Sequence, residues 1–199
     1  MGSVLLIALY IACELIANIS AAKPVEIGGI VAPGGVFIYA LTFTLIDLVN
    51  ERMGKQGARH VVYAAFAANL LFALYALLIV ALPSPAYYTN APAFAAVLGT
   101  TPRIVAASLA SYIISTLIDV EIFAAWKKRI GRYKWARVLA SNTVSTAVDS
   151  ALFVTLAFGG ILPLLPLIAG QYIIKMAVTV VSLPLIYATK YVHGDPSQA

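Results

Sequence analysis

The chain has 199 residues, 62% of them hydrophobic and 11% charged, with a mean hydropathy of +0.94. A soluble domain of this size carries roughly 25% charged residues, so a soluble fold is excluded and an integral membrane protein is indicated. The net charge is +5 and Cys13 is the one cysteine, which excludes an internal disulfide and a cysteine-based metal cluster.

A helical crossing needs about 20 mostly apolar residues. The chain has room for six of them and little else, so the expectation is an all-α integral membrane protein forming a single domain over residues 1–199. Met1 to Ser3 lacks the basic start of a cleaved signal peptide, and the first apolar run, about Val4 to Ala22, reads as a retained helix. Glu14 and Asn18 lie one turn apart on it, hence on one face. Lys23-Pro24 stops it, and Gly28, Gly29, Pro33, Gly34 and Gly35 punctuate a connection that reads as a turn or a broken helix start. The second span, about Val36 to Asn50, is short; Glu51 to His60 reads as a polar loop; the third span runs about Val61 to Leu82, with Asn69 its strongly polar interior residue. Prolines bracket a longer loop whose Tyr87, Tyr88 and Phe94 suit a membrane–water interface. The fourth span covers about Arg103 to Trp126, the fifth about Val138 to Phe158 and the sixth about Leu167 to Thr189, where Gln171, Lys175 and Thr179 recur every four residues.

Arg52, Lys55 and Arg59 fall in the loop after the second span, and Lys127, Lys128, Arg129, Arg132, Lys134 and Arg137 in the loop after the fourth, whereas the opposite loops offer Lys23 and Arg103. Positive loops stay in the cytoplasm, so six transmembrane helices with both termini cytoplasmic are expected, in the cell membrane. The same rule accounts for the basic loop after the fourth span, and no nucleic-acid partner is expected.

Two stretches share one spelling, S-x-x-x-S-T-x-h-D-x-x-h-F with h apolar: Ser111 to Phe123, and Ser141 to Phe153. Helical spacing puts Ser111, Ser115, Thr116 and Asp119 on one stripe and Ser141, Ser145, Thr146 and Asp149 on another. Thr44-Leu-Ile-Asp47 repeats the core of the pattern in the second span. Each ionised group at mid-bilayer costs at least about 2.5–3.5 kcal/mol on insertion scales, so these acids need partners, protons or a watery cavity. Asp47 lies one turn from Glu51, and Glu121 about 9 Å of helix rise from Lys127; Glu14, Asp119, Asp149 and Lys175 are better placed for the middle. Blander readings stand beside this one. Lys175 with one Asp could be a structural pair, Ser111 and Ser141 could bond the preceding turn, Phe123 and Phe153 could be packing residues, and Asn69 could bridge two helices.

His60 and His193 sit at polar ends, so no nucleophilic triad forms; no paired histidines suggest zinc; no phosphate-loop pattern follows a strand. No enzyme activity, metal or cofactor is expected. The residues support a polar-lined transporter for a small solute, or a proton path.

Asp47-Leu-Val-Asn-Glu-Arg-Met-Gly-Lys-Gln-Gly-Ala-Arg59, preceded by Phe37-Ile-Tyr-Ala-Leu-Thr-Phe43, resembles the signature of the queuosine-precursor transporters, also called the vitamin uptake transporter family. Ala17-Asn18, Leu98 to Arg103, Ile118 to Phe123, Ser145 to Asp149 and Tyr172 to Lys175 are similar to further stretches of that family, in the same order. The resemblance implies uptake of 7-deazaguanine bases such as preQ0, preQ1 or queuine, precursors of a modified tRNA nucleoside. A guanine-like edge offers adjacent N–H donors to a carboxylate, its acceptors need Asn18, Gln171 or Lys175, and Phe43 or Tyr172 could cover its flat face. Asn18, Asp47, Asp119, Asp149 and Lys175 are the expected core of the site, with Glu14 and Gln171 close behind. The alternative is a substrate-binding subunit of an ATP-driven, energy-coupling-factor type vitamin importer. A homodimer in the lipid bilayer is expected, because six short helices enclose little volume.

Overall fold

The computed structural model describes residues 2–129 and 134–192, with side chains described outside positions 40, 43, 44, 47, 51, 55, 119–129, 134–141 and 182–192. Among the described residues the chain is mostly helical. The order is α1 (Gly2–Ser20), β1 (Pro24–Ile27), β2 (Ile30–Pro33), α2 (Val36–Ala81), α3 (Ala91–Leu98), α4 (Thr101–Arg129), α5 (Lys134–Phe158) and α6 (Leu164–Val192).

Two elements depart from the expected all-α chain of separate spans. The connection after α1 is a β-hairpin, paired antiparallel from Pro24↔Pro33 to Ile27↔Ile30. Gly28 and Gly29 turn it with φ of 58° and 81°, the two positive values that a tight two-residue hairpin turn requires. The flanking Val25, Ile27, Ile30 and Val31 are β-branched and fit a pleated strand, so the local chemistry of a Gly-Gly hairpin was present in the sequence. The second departure is α2. The polar stretch expected as a loop is helical, and the 46-residue element is broken only at Gly54, whose φ of 70° and ψ of 177° lie outside the helical region. Straight, it would be roughly 70 Å long, far beyond a bilayer core; Gly54 divides it into two helices. That backbone conformation is open essentially to glycine alone.

A short helix, α3, also stands where a proline-bracketed loop was expected, with Pro92 in its first turn where the missing N–H costs nothing. Four segments are long and apolar enough to cross a membrane among the described residues: Gly2–Ser20, Gln56–Ala81, Ala91–Ile118 and Leu164–Val181; Asn142–Phe158 is apolar but shorter. By this measure the described chain reaches fewer than the six expected crossings. Leu70, Leu71, Leu74, Leu77 and Leu78 are all exposed on the second half of α2, as a face meeting lipid would be.

α5 packs against both α4 and α6, α1 lies along α2, and the second strand rests on α6. Small residues allow the elements to approach. A Cβ on Gly35 would strike the Ala17 carbonyl of α1, and one on Gly170 would strike the Val31 carbonyl of the hairpin. Ala21, Ile104, Ala107, Val154, Ala157, Phe158 and Leu167 form one buried cluster where α1, α4, α5 and α6 meet. Beside it, Arg103 donates to the Leu156 carbonyl through Nε and to the Gly159 carbonyl through Nη2, both at 2.7 Å. It thereby satisfies carbonyls that the end of α5 leaves without helical donors.

Candidate functional site

The hairpin and the close approach at Gly35 leave a cavity between the helices, of about 420 Å³ with its mouth included. Asn18 of α1, Tyr39 of α2, Ser108 and Ser111 of α4, Asp149 and Phe153 of α5, and Gln171 and Lys175 of α6 line it, with Pro33 and Gly35 at the hairpin side.

Two polar walls face each other across this space. On the α5–α6 side, Lys175 forms an ion pair with Asp149. Ser115 of α4 stands 3.5 Å from the other carboxylate oxygen, and the Lys175 ammonium lies 5.0 Å from the centre of the Tyr39 ring, a cation–π distance. Of the two acids expected to meet Lys175, Asp149 is thus its partner. On the α1–α2 side, Asn18 Nδ2 donates to Asn69 Oδ1 at 2.6 Å, and Asn69 Nδ2 donates to the Ala65 carbonyl at 2.9 Å. A backbone carbonyl only accepts, so the second bond fixes which end of the Asn69 amide is nitrogen, and the first then fixes Asn18. Asn18 lines the cavity. Gln171 is 3% exposed, and its Oε1 has no hydrogen-bond partner among the described residues. An unpaired buried amide oxygen is costly, and a ligand N–H entering the cavity would relieve it.

A second cavity, of about 300 Å³, adjoins the first. Asn18, Tyr39 and Ser108 line both, and Tyr10, Glu14, Phe66, Asn69 and Tyr112 complete its wall. Glu14 is buried, and Tyr10, one turn earlier on α1, lines the same cavity.

Of the expected site residues, Asn18, Asp149, Gln171 and Lys175 come together at the first cavity and Glu14 at the second. Tyr172 is half-buried and lines neither; its neighbour Gln171 takes the inward position. The side chains of Asp47, Asp119 and Phe43 lie outside the described residues, as do those of Glu121, Phe123 and Ser141. The hydroxyl stripe is partly as expected. Ser111 is buried and bonds the Ser108 carbonyl at 3.2 Å, the packing role expected of it, and Asn69 does bridge two helices. Thr116, expected to line the same stripe, is exposed, because one residue past Ser115 turns it about 100° around the helix. Phe153, read as a packing residue, packs edge-on against Phe158 at 5.9 Å and also lines the cavity. Tyr39, Tyr10 and Tyr112 were not among the expected site residues. Tyr10 was legible, since Tyr10, Glu14 and Asn18 follow one another at four-residue spacing; Tyr39 and Tyr112 carried no such signal.

The family described as "Putative vitamin uptake transporter" matches residues 33–189. The chain is 33% identical over 180 residues to a "Probable queuosine precursor transporter" of Bacillus subtilis (strain 168), covering 87% of this chain and 78% of that protein. No solved structure matches the chain significantly. Family and relative are transporters rather than enzymes, and with its apolar helices this is a multi-pass membrane transporter. The ordered motifs, the helical scaffold around a polar cavity and the match over most of the chain lead to one assignment: the protein belongs to the vitamin uptake transporter family, the family of the queuosine-precursor transporters.

Proposed function

We propose that this chain, as one six-helix domain in the cell membrane with both termini cytoplasmic, imports a 7-deazaguanine base such as preQ0, preQ1 or queuine. The observation that carries the proposal is one cavity lined by the amides of Asn18 and Gln171 and by the closed Lys175–Asp149 pair, with Gln171 Oε1 lacking a hydrogen-bond partner among the described residues. A guanine-like edge presents adjacent N–H donors, which match acceptors rather than a free cation. Tyr39 and Phe153 offer ring surface for the flat heterocycle, and the description of the Bacillus subtilis relative as a probable queuosine precursor transporter is consistent with such a solute. Asp47, Asp119, Phe43 and Tyr172 remain candidates on the strength of the family motifs.

The direct test is uptake by purified protein in liposomes, against preQ0, preQ1 and queuine, with and without a proton gradient. Saturable uptake by the chain alone is expected. Uptake that requires an added ATPase module would mean an importer subunit instead, and uptake that never saturates would mean a channel. For the topology, cysteines placed at Gln56 and Tyr88 in a Cys13→Ala background should be labelled from inside and outside respectively; labelling of position 56 by an impermeant outside reagent would reverse it. The homodimer is part of the same proposal: two copies could pack through the alanine-rich first and third spans. A monomer mass in native lipid would remove it.

A further inference from the structure

The cavity around Glu14 has features that the base-binding cavity does not need. Its walls are aromatic, with Tyr10 from α1, Tyr39 from α2, and Phe66 and Tyr112 set edge-to-face at 5.3 Å. Glu14 is the acid among them, and it is 8% exposed. Tyr10 stands beside it on the same wall, and a carboxylate has room for about four hydrogen bonds. Lys175 acts on Glu14 through space but is bonded to Asp149. Among the described groups near Glu14, tyrosines come from α1, α2 and α4, and Lys175 on α6, with its ion-pair partner Asp149 on α5, lines the adjoining cavity. Aromatic rings beside a carboxylate suit an organic cation, and Asn18 and Tyr39, which line both cavities, make this cavity a neighbour of the base site.

We propose that the Glu14 cavity is a subsite for a primary ammonium group, the aminomethyl arm of a 7-deazaguanine whose ring occupies the first cavity. The inference rests on the reading above and deepens it: the transporter selects the aminomethyl base over the nitrile base, which has the same ring and no cation. A salt link beside aromatic rings accounts for the preference, with Glu14 as its anion.

The test is direct binding of the two bases to purified protein, as the ratio of their affinities. The wild-type protein is expected to favour the aminomethyl base, and Glu14→Gln to reduce that preference by about tenfold or more. Phe66→Leu, which touches the second cavity alone, should reduce it by a smaller factor, and serves if Glu14→Gln does not fold. A preference ratio that neither variant changes overturns the subsite while leaving the transport reading in place. Wild-type protein that binds neither base overturns both.

Discussion

The two polar walls of the main cavity solve the same problem by different chemistry. The α1–α2 wall is neutral: the Asn18 amide bonds the Asn69 amide, which is anchored on the Ala65 carbonyl. The α5–α6 wall is charged, with Lys175 closed on Asp149 and a Tyr39 ring and Ser115 beside them. An amide ladder satisfies its groups without placing a charge in the cavity wall. An ion pair cancels its own charge, so neither partner is free for an ionic ligand unless the pair opens. On the proposed function, the neutral wall can meet a ligand without breaking an ion pair, as can the Gln171 amide on α6, whereas the charged pair can do so only by opening.

Breaking the charged wall should have the largest effect. Lys175→Met strands the Asp149 carboxylate, which is only 16% exposed; removing one partner of a buried pair costs about 3–5 kcal/mol. Uptake should be lost and the melting temperature in detergent should fall. Adding Asp149→Asn should restore most of the stability. If uptake returns with it, the pair only holds helices; if transport stays lost in the stable double variant, the pair takes part in the transport cycle.

The next effect tests whether the neutral wall depends on the close contact beneath it. Gly35→Val would drive a side chain into the Ala17 carbonyl, one residue from Asn18. Overpacking of this kind costs about 1–3 kcal/mol, and substrate affinity should drop more than stability does, because Asn18 moves with its helix. Unchanged affinity in a folded variant would separate the contact from the site.

Opening the neutral wall itself should be milder. Asn69→Leu leaves Asn18 without its partner, at about 1–3 kcal/mol for a buried unsatisfied group. The freed Asn18 amide can then rotate, so discrimination between ligands should weaken while the protein still inserts. An Asn69→Leu protein with full stability and unaltered selectivity would deny the ladder its orienting role.

The smallest change should come from outside both walls. Arg103→Met removes two bonds to the exposed end of α5, where water can replace the guanidinium, at about 1 kcal/mol. Affinity for either base should not change. A transport defect larger than that of Asn69→Leu would mean that this end of α5 moves during the cycle.

Much of this was legible along the chain. Hydropathy marked the apolar runs, and most helix ends fall within a few residues of those expected, because period and breaker residues act locally. Glu14 and Asn18 could be put on one face by spacing alone, and a lone deep lysine had to find a carboxylate. Local spacing also carried the Gly28-Gly29 hairpin signal, though the surrounding glycines and prolines read equally as a broken helix. Other features lay beyond any local rule. That Glu51 to His60 stays helical around Gly54 depends on one residue's backbone conformation against a run of helix-compatible neighbours. The choice of Asp149 for Lys175, the Asn18–Asn69 bridge and the entry of Tyr39 into the site join residues 26, 51 and more positions apart. Spacing along a helix determines which face a residue occupies; only the packing of α1, α2, α5 and α6 around Gly35 and Gly170 decided which faces meet, because close approach depends on side chains that are missing as much as on those present.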